Sequence, residues 1–152
     1  MIHYLTVQDI IWINTEVTKE TNEFKYAQLE EAAFYQYGYG RSENVLAQAA
    51  HFLQGFLKLR PFAFGNRATA FISALTFLKI NSYEINLNPD TADEWVMQIA
   101  LKTKNAEDAI TEIAEKTNKP YELKPRIRTE VKTLINIYQQ ALEKLSDVSV
   151  AG

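Results

Sequence analysis

The decapeptide RPFAFGNRAT, residues 60–69, is the part of the chain whose residue types and spacing bear most directly on chemistry. Gly65 and Asn66 stand just before a helix expected to begin near Arg67, and Arg60 and Arg67 flank the turn. The first N–H groups of an α-helix lack intrahelical partners, and the helix dipole adds partial positive charge there. A glycine at that point lets the backbone come close to a ligand. Arg60, Gly65, Asn66 and Arg67 are therefore the candidate anion- or nucleotide-binding residues. The same residues admit a plainer reading, in which Asn66 caps the helix and both arginines point to water. Almost every side chain that could move a proton or hold a metal is missing from the stretch.

Other chemistries are quickly bounded. There is no cysteine, so disulfides, zinc ribbons and thiol catalysis are excluded. Two histidines are too few for a metal cluster, and no metal site is expected. His51 lies nine residues before Arg60 on a helix, which at 1.5 Å per residue places it roughly 13 Å from the loop, too far to act there as a base. No Walker loop, dinucleotide fingerprint or nucleophile elbow is present. Sixteen Lys and Arg against nineteen Asp and Glu give a net charge of −3, which argues against a whole-surface nucleic-acid binder. No apolar run reaches the 18 or so residues of a membrane span, and the N-terminus lacks a basic n-region. A soluble, cytoplasmic protein is expected, with neither nucleic acid nor membrane as partner.

The elements that must position the loop read as helical. Thr6 can cap a first helix to about Thr18, with Asp9 completing a weak capping box. A short helix follows over Gln28–Phe34, and YQYGYGRSEN reads as a loop. Ser42 or Asn44 opens a long helix through VLAQAAHFLQGFLKL, which Pro61 ends. Residues 67–80 form a helix apolar around much of its circumference, marking the centre of the core. One extended piece, Tyr83–Leu87, is followed by helices through TADEWVMQIALKT and from Asn105 onward. Pro120 and Pro125 bracket a linker. RTEVKTLINIYQQALEKL closes the chain as one amphipathic helix. The expected class is all-α.

In motif, flanking helices and order, the chain resembles the Fic/Doc (death-on-curing) family, Doc branch. YLTVQDIIWINTEVT is similar to the family's opening helix, LEEAAFYQ to its second segment, and AAHFLQGFLKLRPFAFGNRATAFISALTFLKINSY to its central helix, motif loop and core helix. TADEWVMQIALKTKNAEDAITEIAEK resembles the two helices that close the domain. The resemblance spans about residues 2–117. It implies a compact helical domain over 1–118, with 119–152 adding a linker and a C-terminal helix.

The Doc-branch signature runs His-Pro-Phe-x-Asp-Gly/Ala-Asn-Lys-Arg-Thr. Pro61, Phe62, Gly65, Asn66 and Thr69 match it. The family's general base falls on Arg60, its magnesium-holding acid on Phe64, and its phosphate-gripping arginine on Ala68; Arg67 replaces the lysine. Arginine stays protonated and cannot accept a proton, a loss commonly worth ~10²–10⁴ in rate. Phenylalanine offers no oxygen to Mg²⁺, and alanine makes no bidentate phosphate contact. The resemblance thus implies a degenerate-motif pseudoenzyme of toxin–antitoxin-like origin, requiring no cofactor and binding an anion, a nucleotide or a partner protein. The alternative is an active phosphotransferase or AMPylase-type nucleotidyltransferase that uses ATP and Mg²⁺ on a protein hydroxyl. A relic without any ligand is the third reading.

Family members also align their targets along a flap, and YQYGYGR lies about where such a flap is expected. Tyr35, Tyr37 and Tyr39 are the candidate partner-binding residues, for an antitoxin-like protein or a target; packing over the core edge is the competing reading. Thr111 and Glu115 match part of an inhibitory family motif only by coincidence, since Lys116 follows and the arginine it would oppose is missing. In the tail, Val131, Ile135, Tyr138, Leu142 and Leu145 form an a/d stripe over two heptads, too short to stand alone. It must be buried on its own domain or along a homodimer seam.

Overall fold

The computed structural model describes residues 1–38 and 43–146. Tyr39 and Ser42 lie outside the described residues. The described chain folds into eight helices and one two-stranded sheet, a predominantly helical architecture. No helix among the described residues is long and apolar enough to cross a membrane.

Helix α1, Val7–Thr18, starts with a full capping box, Thr6 and Asp9 each bonding the other's backbone N–H. Helix α2, Tyr26–Phe34, begins two residues earlier than the pattern suggests, with no side chain capping it. Helix α3, Val45–Leu59, is capped by Asn44, and helix α4, Asn66–Ile80, packs along it. Every residue of α4 except Arg67 and Lys79 is buried, so it is the axis around which the other helices lie. That is the physical reason for its continuous apolar pattern.

Three expectations need correction beyond α4. Strand β1 is only Tyr83–Ile85. Helix α5, Ala92–Ala100, ends before Leu101. Helix α6, Ala106–Ile113, stops short of Glu115. Its apolar face of Ala106, Ala109, Ile110 and Ile113 is complete at that point, and Ala114 turns extended. Residues 114–116 become strand β2, antiparallel to β1 with Tyr83 opposite Lys116. Thr111 and Glu115 therefore sit on different elements.

The tail is two helices, α7 (Ile127–Ile137) and α8 (Gln139–Ser146), broken at Tyr138. Both pack on α4 of the same chain, and α8 also packs on α5. The break rotates the stripe: Val131, Leu134, Tyr138, Ala141, Leu142 and Leu145 are buried, whereas Ile135 is only half-buried. Tyr138 anchors the joint. Its ring meets Phe71 edge-on at 5.2 Å, its hydroxyl donates to the Leu87 carbonyl at 2.9 Å, and burial raises its pKa above the ordinary value. Arg128 stacks on Trp12 at 4.7 Å and ties α7 to α1.

This register makes a direct prediction. Leu134→Ala should cost about 2–4 kcal/mol in urea unfolding, in the range for a buried leucine. Ile135→Ala should cost clearly less. Equal losses would mean the straight a/d stripe, not the broken pair of helices, describes the tail.

Candidate functional site

The loop between α3 and α4 is shaped by two residues with positive φ. Arg60 closes α3 at φ 47°, its N–H held by the Phe56 carbonyl at 3.0 Å. The following Pro61 excludes the helical region for Arg60, and the left-handed cap resolves that conflict. Gly65 opens α4 at φ 78° as its N-cap. The helix thus begins at Asn66, one residue earlier than expected, and Asn66 is not its cap.

The Asn66 side chain turns inward, only 1 % exposed. Its Oδ1 accepts the Phe62 N–H at 2.9 Å and its Nδ2 donates to the Phe62 carbonyl at 2.7 Å. The side chain therefore acts like an opposing peptide group, bonding both polar groups of one residue. This contradicts the cap reading, and it makes the Asn66 amide a brace rather than a ligand contact.

Helix α1 holds the other side of the loop. Asn14, buried, donates through Nδ2 to the Phe64 carbonyl at 2.9 Å and to Thr69 Oγ1 at 3.1 Å. Asn22 donates to Asn14 Oδ1 at 3.0 Å and to Thr18 Oγ1 at 2.8 Å. A Cβ placed on Gly65 would come within 2.3 Å of Thr18 Cγ2. The close approach that Gly65 permits is thus to Thr18 of α1, a correction to the reading of it as room for a ligand. Asn14, Thr18 and Asn22 were missed in the sequence. The available signal was their spacing, since Asn14 and Thr18 continue the stripe from Ile10 at intervals of four.

A short antiparallel pairing completes the frame. Lys25 N–H donates to the Pro61 carbonyl and Ala63 N–H to the Glu23 carbonyl, each at 2.9 Å, with Phe24 opposite Phe62. The segment along the loop is therefore 23–25, not the tyrosine-rich 35–41. Tyr35 lies instead over Gly55, edge-on to His51 at 4.7 Å, with its hydroxyl on Glu31. Tyr37 stacks on Tyr4 at 4.0 Å and stays 44 % exposed.

Around this frame the structure brings Arg60, Gly65, Asn66 and Arg67 to one turn. Arg60 is exposed. Burial, and secondarily the Arg60 charge, lower the Arg67 pKa from its ordinary value, so the two guanidinium groups feel one another. An anion between them would relieve that repulsion. Phe64 is 52 % exposed at the position of the missing acid, whereas Ala68 is buried. No group of three His, Cys, Asp or Glu that could hold a metal ion occurs among the described residues. A large cleft, about 980 Å³, lies elsewhere, lined by His3, Asn81, Lys116 and Tyr121 at the C-terminal end of α4. A 15-residue helix is ~22 Å long, so that cleft is not part of the loop site.

The family model described as Fic/DOC matches residues 4–78, which takes in α1 to α4 and the whole loop. No curated protein and no solved structure matches the chain.

The frame predicts where the loop breaks. Asn66→Ala leaves the Phe62 N–H and carbonyl without that partner and should cost about 2–4 kcal/mol. Gly65→Ala should destabilise through both its φ and the Thr18 methyl. Adding Thr18→Ser, which deletes that methyl and keeps the hydroxyl, should recover part of the Gly65→Ala loss in thermal melts. No recovery would show that Thr18 is not what fills the space.

Proposed function

Residues 4–78 of this chain are a Fic/Doc-family domain, and on that premise we propose a non-catalytic role: a module that binds an anionic group at the α4 N-terminus and engages a protein partner. The observation that carries the reading is a division within the loop. The residues that shape it (Pro61, Phe62, Gly65, Asn66 and Thr69) match the signature, and the buried amides of Asn14 and Asn66 hold that shape. The positions of base, metal ligand and phosphate grip carry Arg60, Phe64 and Ala68.

Each exchange acts on a separate requirement of phosphoryl or nucleotidyl transfer. Arg60 cannot take a proton from a target hydroxyl. The magnesium site of the family does not fit here, because the exposed Phe64 ring stands where an oxygen ligand is needed. Ala68 leaves the phosphate without the arginine fork. What remains is charge. Arg60 and Arg67 with the positive end of α4 suit phosphate, sulfate or the phosphates of a nucleotide. The partner would meet the outer edge of residues 23–25, since the Phe24 N–H and carbonyl point away from the loop in this pairing.

Phosphate titrated into the full chain should shift the amide resonances of the 65–68 turn, with a dissociation constant in the millimolar range. Arg60→Gln should weaken that binding several-fold without changing the melting temperature, because Arg60 is exposed. Labelled ATP incubated with the protein and lysate should leave no labelled protein. Protein labelling that depends on the intact chain would replace this reading with the transferase one.

Restoring the signature should not be uniformly tolerated. Arg60→His and Phe64→Asp change exposed positions and should leave folding intact while raising affinity for ATP with Mg²⁺. Ala68→Arg enters a buried position and should lower stability by ~1–3 kcal/mol, as overpacking does. A double variant that binds nucleotide no better than the parent would show that the loop has lost the family's shape as well.

A further inference from the structure

A groove separate from the loop runs between the start of α1 and the outer face of α2. Its volume is about 580 Å³. Buried Leu5 and Ala33, with half-buried Val7, line it from below. Phe34, 63 % exposed, and Tyr37 stand beside it with their ring centroids 5.7 Å apart. These rings are held in place from behind. Gln36 bonds both the N–H and carbonyl of Leu5, at 2.6 and 2.9 Å, and Gln48 Nε2 donates to the Gln36 carbonyl at 3.0 Å. The apolar face is therefore preorganised rather than collapsed, which lowers the ordering cost of binding.

Charge limits the occupant. Glu30 and Glu31 are exposed at the rim, and no lining residue is basic. Over residues 1–38 six acids (Asp9, Glu16, Glu20, Glu23, Glu30 and Glu31) face two lysines, Lys19 and Lys25. A second copy would bring the same acidic rim against itself across a two-fold axis, which like charges oppose. The chain's own last six residues, DVSVAG, add an acid and no base. We propose that this groove docks an amphipathic segment of another protein, its apolar side chains against Phe34 and Tyr37 and its Lys or Arg residues against Glu30 and Glu31. The proposal gives the interaction reading above a second surface and a partner chemistry, and it does not depend on anion binding at the loop.

The test uses the full chain and two synthetic 15-residue peptides, one with leucine stripes separated by lysines and one with glutamates replacing the lysines. The lysine peptide should bind and shift the amides of Leu5, Val7 and Ala33, while the glutamate peptide does not. Phe34→Asp adds a negative charge, so non-specific attraction of the lysine peptide would rise, whereas docking in the groove should fall at least tenfold. Glu30→Lys should weaken the lysine peptide and admit the glutamate one. Phosphate shifts at the 65–68 turn, read on the same variants, should stay unchanged, which keeps failure here distinct from failure of the loop reading. The proposal is overturned if the lysine peptide does not bind. It is equally overturned if Phe34→Asp tightens binding, if the shifts map to another face, or if the parent forms a dimer that Phe34→Asp dissolves.

Discussion

Three buried side-chain amides set the frame on which the rest of this structure depends. Gln36 bonds the N–H and carbonyl of Leu5, Asn66 those of Phe62, and Asn81 those of His3. An amide side chain carries a donor and an acceptor at the spacing of a peptide group, so each one can close a non-repetitive segment as a strand partner would. Buried backbone groups in loops must find partners somewhere, and here side chains supply them. Two of the three lie at the ends of α4, Asn66 in its first turn and Asn81 as its C-cap. The core helix thus fixes the motif loop at one end and the N-terminal segment at the other.

That arrangement explains why a nearly all-helical chain can keep an irregular loop in one shape. The hydrophobic contacts of α4 fix where the helix lies but are non-directional. The directional part comes from Asn66, Asn14 and the 23–25 pairing, which together bond the backbone of residues 61–64. Thr18 against Gly65 closes the remaining space. The tail contributes at a distance, since α7 covers α4 and ties to α1 through Arg128 and Trp12.

Helix types and order were legible in the sequence because apolar periodicity reports burial, and burial is what these helices share. Caps were legible where the side chain serves its own helix, as with Thr6, Asn44 and Asn105. Asn66 was misread for the opposite reason. An asparagine before a helix is usually a cap, but this one is the first helical residue and its amide serves the preceding loop, a long-range geometric fact with no periodic trace. Asn14 was hidden similarly, as a polar residue on a buried stripe. The Tyr138 break was invisible because a Leu/Ile-rich heptad pattern does not distinguish a straight helix from two that change register. The end of α6 was missed because a helix can stop where its apolar face ends, and AEK carries no breaker.

The loop's history follows from the same separation of roles. Arg60 and Phe64 are exposed, and neither side chain contributes to the hydrogen bonds that hold the loop. Exchanges there change chemistry and leave folding almost untouched, so nothing in stability opposes them. Ala68 differs. It lies buried on α4, and a long cationic side chain there must be covered and paired or find another route to water. A small residue at that position lets the core close over the first turn of α4. Loss of the reactive groups is therefore cheap at two positions and coupled to packing at the third. Re-creating a nucleotide grip then demands more than returning three side chains, because the wall around position 68 must open as well.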